Sequence, residues 1–307
     1  MRWGLGLLAI AVWCLAAVLP ARCEDQPVLM LDNGGHQAVI RSVTFTADGK
    51  YLVSAGEDKV VRVWDWQAGK TVRAIRGQVS LGPEGKIYCS ALSPNGRWLA
   101  VAGFMAPSGF VGPERGWDIR LYDFATGELK ALLKGHQNGV QALAFSLDSK
   151  LLISGGLEGV SLIWDLETQR PLHPPLRGHT AEIYGAAFTP DGLQAVTASN
   201  DNTLRLWRTA DGSLVKIITG HADKVPALAV SSKDGTIASG DARGEVRLWD
   251  GTTGAALRSA PFARPGGLVG SLSFSPDGRL LLATCGISGC NYTQRVFEVA
   301  SGRELKA

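Results

Sequence analysis

Residues 178–208 read GHTAEIYGAAFTPDGLQAVTASNDNTLRLWR, and the spacing inside this stretch decides the fold. Gly178-His179 opens it, Pro190-Asp191-Gly192 supplies a turn between two apolar alternating runs, and Thr197, Asp201 and Trp207 follow at fixed intervals. Asp-Gly turns between period-2 runs join antiparallel strands, because glycine accepts positive φ and the short Asp side chain bonds its own turn. Outward from here the same offsets recur. Gly-His pairs also stand at Gly35-His36, Gly135-His136 and Gly220-His221, and the intervals His36 to Trp64, His136 to Trp164, His179 to Trp207 and His221 to Trp249 are identical. A hydroxyl residue, Ser54, Ser154, Thr197 or Ser239, precedes each of these Trp residues at a second constant offset.

Tyr122-Asp123 and Phe297-Glu298 occupy degenerate versions of the Trp position, so that six segments end at Trp64, Tyr122, Trp164, Trp207, Trp249 and Phe297. Three of the five intervals are nearly equal, while Trp64 to Tyr122 and Trp249 to Phe297 are longer. Periods of about 40–45 that close in Trp-Asp, with Gly-His near the start, mark four-stranded blades arranged around an axis. The chain resembles the WD-repeat (WD40) proteins over nearly everything beyond Cys23. The resemblance implies an all-β fold, a WD40 β-propeller with six recognisable four-stranded blades, or six blades of a seven-bladed ring that is cut short. It also implies a hydrogen-bond relay through His36, Ser54, Asp58 and Trp64; His136, Ser154, Glu158 and Trp164; His179, Thr197, Asp201 and Trp207; and His221, Ser239 and Trp249. The family's Asp follows the His at a fixed offset: Asp58 and Asp201 match, Glu158 departs conservatively, and Arg243 does not match. Repeats 1 and 4 are therefore expected to be the most rigid. Buried carboxylate, imidazole, hydroxyl and indole are tolerated only when each satisfies the next.

Composition agrees with a packed domain. Hydrophobic residues make up 45%, charged residues 19%, and the net charge is +3. Disorder and nucleic-acid binding through basicity are excluded on that balance. Residues 1–23 read as a signal peptide: Arg2, an apolar run from Leu5 to Leu19, and Ala21-Arg22-Cys23 before Glu24. The run is too short to span a bilayer, so no stable membrane insertion is expected after cleavage, and the location is secreted or periplasmic. Without Arg2 and Arg22 the remaining 24–307 propeller is close to neutral, its Lys and Arg nearly balanced by Asp and Glu.

Small residues Ser42, Cys89, Ala142, Gly185, Ala227 and Ser271 recur on the first strands, as expected where inner strands crowd an axis. Repeat 2 is the informative departure. The stretch Gly77 to Leu92 is longer than its counterpart Gly35 to Phe45, and Leu92 to Tyr122 is longer still against Phe45 to Trp64. In WD-repeat folds these loops, called da and bc, open on one face. The second insertion carries Phe104, Met105, Phe110, Arg115 and Trp117, which either fold back on the blade or meet a partner. In repeat 6, Cys285 and Cys290 are placed for a disulfide in an exported protein.

No chemistry-bearing motif is complete. Gly69-Lys70-Thr71 imitates the end of a phosphate loop, but Trp64 stands where its first Gly belongs. No metal site, cofactor or catalytic residue is expected, and the protein reads as a monomeric, non-catalytic scaffold for a protein partner. Two alternatives stand beside it. One is the docking propeller of a caspase-like peptidase whose catalytic domain lies elsewhere. The other is a ligand-binding or enzymatic site in the central channel. Val28–Leu31 and Glu304–Ala307 both read as outer strands competing for the last blade.

Overall fold

The computed structural model describes residues 34–76, 85–104, 117–258, 261–263, 267–286 and 293–306. Residues 1–23, Val28–Leu31, Met105, Phe110, Arg115 and Cys290 lie outside the described residues. Strand alternation builds six antiparallel sheets in chain order, each running from an inner to an outer strand, and the sheets form a propeller ring. In blade 1 the strands are Ile40–Phe45, Tyr51–Gly56, Val60–Asp65 and Lys70–Arg76. Blade 4 repeats them as Ile183–Phe188, Gln194–Ser199, Leu204–Arg208 and Leu214–Ile218.

The turns explain why inner and second strands pair where they do. Gly49, Gly96, Gly192 and Gly278 have φ between 68 and 71°. The preceding Asp or Asn side chain is held by a hydroxyl, as in Thr189 Oγ1 donating to Asp191 Oδ1 at 2.6 Å. Blades then pack face to face. Leu152, Trp164 and Leu162 of blade 3 meet Trp98, Ala100, Ala102 and Leu121 of blade 2, and equivalent cores join blades 1 and 2, 3 and 4, 4 and 5, and 5 and 6. Full burial of each large aliphatic side chain contributes about 1.5–3 kcal/mol. The small inner row is enforced by proximity: a Cβ on Gly185 would stand 2.5 Å from Leu228 Cβ of the next blade.

Blade 5 departs from the regular four-stranded sheet. In blade 5 the outer edge consists of isolated bridges, Trp249 with Ala256 and Val246 with Ala263, beside three strands. Blade 6 has its own outer strand, Glu304–Lys306, paired with Gln294–Glu298. Among the described residues no helix is long and apolar enough to cross a membrane.

Candidate functional site

The relay residues lie where loops meet at one end of each blade. In blade 4, Trp207 Nε1 donates to Thr197 Oγ1 at 2.9 Å, and His179 Nε2 lies 2.8 Å from the same oxygen. His179 Nδ1 lies 2.7 Å from Asp201 Oδ2, which also accepts the Thr180 amide at 3.1 Å. The donors run in one direction: indole to hydroxyl, hydroxyl to imidazole, imidazole to carboxylate. That order requires a neutral imidazole protonated on Nδ1. Burial lowers the His179 pKa, with the Asp201 hydrogen bond and charge working against it. Burial alone would raise Asp201, but its bonds from Thr203 and His179 leave it below the usual carboxylate value.

Blade 1 repeats this geometry. Trp64 Nε1 is 2.7 Å from Ser54 Oγ, His36 Nε2 is 2.7 Å from Ser54 Oγ, and His36 Nδ1 is 2.8 Å from Asp58 Oδ2. In blade 3, Trp164 Nε1 donates to Ser154 Oγ at 2.8 Å, His136 Nε2 sits 2.7 Å from Ser154 Oγ, and Glu158 Oε1 is 2.6 Å from His136 Nδ1. Glu158 thus reaches the imidazole despite its extra methylene.

Blade 5 corrects the sequence reading. The offset that leads from His36 to Asp58 leads from His221 to Arg243, but the carboxylate is Asp241, whose Oδ2 lies 3.0 Å from His221 Nδ1. Its Oδ1 accepts the Arg243 and Glu245 amides at 3.0 and 2.8 Å. Ser239 Oγ completes the chain, 2.6 Å from His221 Nε2 and 2.7 Å from Trp249 Nε1. One Asp both caps the turn and ends the relay. Four blades therefore carry a carboxylate-terminated relay, so the carboxylate does not distinguish blades 1 and 4 from blades 3 and 5. Trp64 is only half-buried, whereas Trp164, Trp207 and Trp249 are buried.

Each relay ties the loop entering a blade to the loop between its second and third strands. Backbone bonds repeat the tie: Glu57 N to Val39 O, Leu157 N to Gly139 O, Asn200 N to Glu182 O and Ala242 N to Lys224 O. Adjacent blades are joined at the same end by Val225 N to Ser199 O and Val269 N to Asp241 O. The da and bc loops of the relay blades thus form one braced face.

Of the aromatic insertion, Phe104 and Trp117 are described. They are half-buried and meet edge to face, with ring centres 4.7 Å apart. Trp117 also reaches toward blade 3: a Cβ on Gly139 would lie 3.8 Å from its ring. These two residues brace the base of the insertion. Cys285 is buried at the end of its strand. Cys89 is buried too, its Sγ 3.5 Å from Val140 O, and burial pushes its thiol pKa far up, away from thiolate chemistry. Among the described residues no group of three or more His, Cys, Asp or Glu is placed to hold a metal ion.

The family model described as "WD domain, G-beta repeat" matches residues 26–65, 127–165, 170–208 and 212–250. Apoptotic protease-activating factor 1 of Rattus norvegicus is 27% identical over 252 residues, 82% of this chain and 16% of that protein. Protein hir1 of Schizosaccharomyces pombe is 28% identical over 211 residues, 64% of this chain and 22% of its own. The COMPASS component SWD3 of Saccharomyces cerevisiae is 28% identical over 209 residues, 64% of this chain and 61% of its own. This chain therefore spans less than a quarter of the length of the first two.

Proposed function

Because the chain belongs to the WD40 repeat family, we propose that it is a non-catalytic scaffold that binds another protein on the face carrying the da and bc loops. The observation that carries this reading is the bracing of that face by the four relays, which hold loops from distant parts of the sequence in one arrangement. The name of SWD3, a COMPASS component, agrees with a scaffold role. Met105 and Phe110 are of residue types enriched at the centres of protein interfaces. Met105→Ser with Phe110→Ser is expected to abolish capture of the partner from an extract of the producing host while leaving the melting temperature unchanged. Capture undiminished by that double change would remove the loop from the interface. Phe104→Ser, which unpacks Trp117, is expected to lower the melting temperature instead.

A second reading, docking for a caspase-like peptidase, is supported by the likeness to a protein named a protease-activating factor. It predicts a cysteine peptidase among the captured proteins. Export completes the proposal: the mature protein is expected outside the cytoplasm, with Glu24 as its first residue by N-terminal sequencing and a monomeric mass by light scattering.

A further inference from the structure

Inner-strand irregularities repeat around the ring at one level. In blade 1 the register breaks between Ile40 and Ser42, in blade 2 between Ile87 and Cys89, in blade 4 between Ile183 and Gly185, and in blade 6 between Val269 and Ser271. In blade 3, Val140 and Ala142 pair with adjacent residues, leaving Gln141 over. In blade 5, Pro226 occupies the same place before the strand Ala227–Val230. Of the residues that precede these irregularities, Ile87, Val140, Ile183, Val225 and Val269 are at most 3% exposed, and Ile40 is half-buried. A bulge re-aims the extra side chain, so Arg41, Tyr88, Gln141, Tyr184, Pro226 and Gly270 form a ring at the loop-bearing mouth of the channel.

That ring is chemically lopsided. Arg41 donates through Nε to Glu57 Oε1 at 2.8 Å and through Nη2 to the same oxygen. Lys86 Nζ donates to Glu57 Oε2 at 2.8 Å. Two cations thus share one carboxylate. They keep 32% and 35% of their side-chain surface exposed, against 14% for Glu57. The Arg41 guanidinium also lies 5.9 Å from the centre of the Tyr88 ring. Tyr184 approaches from blade 4, opposite blade 1. Burial and the Glu182 charge raise its phenol pKa while the Arg41 charge opposes them. Its hydroxyl therefore remains a donor. Glu182 is engaged by Asn200 Nδ2 at 3.3 Å. On the remaining arc, Pro226 and Gly270 bring no long side chain. Local packing does not demand the glycine, since a Cβ there would find its nearest neighbour at 3.8 Å.

We propose that this mouth docks an acidic segment of the protein partner, one carboxylate of which enters over Pro226 and Gly270 and lodges between Arg41, Lys86 and the Tyr184 hydroxyl. The inference rests on the scaffold reading above and adds the partner's chemistry to it. Charge-assisted bonds from Arg and Lys to a carboxylate provide the recognition, and the aromatic rings shield them from water.

The test is fluorescence anisotropy with labelled octaglutamate and octaglutamine peptides at moderate salt. Octaglutamate is expected to bind, and Arg41→Gln with Lys86→Gln to weaken it about tenfold or more. Lys130→Gln with Lys216→Gln, an equal charge loss on outer strands, is expected to change binding less than about twofold. Gly270→Phe leaves Arg41, Lys86 and Tyr184 intact and is expected to block binding without lowering the melting temperature, which separates occlusion from misfolding. Equal binding of octaglutamine, equal losses in both lysine-containing variants, or full binding by Gly270→Phe would overturn the proposal. Capture of a partner from host extract that survives Arg41→Gln with Lys86→Gln would overturn the acidic dock alone. No capture by the unaltered protein would overturn the scaffold reading.

Discussion

Blade 4 and blade 6 are built on the same strand register but hold it together differently. In blade 4, Thr197 pairs with Arg205 and Ala195 with Trp207; in blade 6 the corresponding pairs are Ala283 with Arg295 and Leu281 with Phe297. Hydroxyl becomes methyl, indole becomes phenyl, and residues 251–307 contain no His. Blade 2 makes the same exchange, with Val101 and Tyr122 in these places and no His between residues 77 and 133. The relay is kept whole or dropped whole, as expected if a buried polar group without its partner costs more than the network contributes. Both blades without a relay also end the long intervals, Trp64 to Tyr122 and Trp249 to Phe297. Where no His in the entering loop must meet a carboxylate in the next, loop length is free to change.

The comparison is broken most severely at Trp164, which is 0% exposed. Trp164→Ala is expected to cost about 3–5 kcal/mol in urea unfolding, because it leaves a cavity between blades 2 and 3. Trp164→Phe, which keeps most of the bulk, is expected to cost about 1–3 kcal/mol. Next comes the carboxylate of blade 5. Asp241→Ala removes the partner of His221 and of two turn amides, for about 2–3 kcal/mol; Arg243→Ala, at the position the repeat count indicates, is expected to stay within about 0.5 kcal/mol. An equal cost at both positions would remove Asp241 from the relay.

Acidity gives the smallest effect. The His179 pKa is lowered in the folded state, so its contribution is complete above the ordinary value of 6.5 and is lost as pH falls through that value toward the folded one. Asp58, Asp201 and Asp241 are also lowered, so their contributions are present above 3.8 and are lost on further acidification. Unfolding free energy is therefore expected to be lower at pH 5.5 than at pH 7.5, with His179→Gln removing part of the dependence.

Most of this architecture was legible in the spacing, because a relay of four side chains joined by three hydrogen bonds forces its members into nearly constant offsets. Ser54, Trp64 and their counterparts stand at strand positions whose separation cannot change without shifting register. Asp241 escaped because the carboxylate sits in a turn, where a side chain slightly earlier in the chain can reach the same imidazole. The cue was local: Asp241-Ala242-Arg243-Gly244 reads as a turn led by an Asp that bonds the amides after it. The bulged ring escaped for a different reason. Arg41, Tyr88 and Tyr184 sit inside strands whose alternation looks regular, and only the pairing of neighbouring strands reveals that each is an extra residue. For the two described aromatics of the bc insertion, Phe104 and Trp117, the sequence left packing and partner contact open and did not reveal that the two rings face each other.

A double-mutant cycle in blade 4 tests the all-or-none relay most directly, with Thr197→Val, Trp207→Phe and the pair compared by urea unfolding. The account predicts that the pair costs less than the sum of the single changes by about 1 kcal/mol or more, since the second change removes the indole N–H that the first leaves unsatisfied. Additivity within about 0.3 kcal/mol would contradict it.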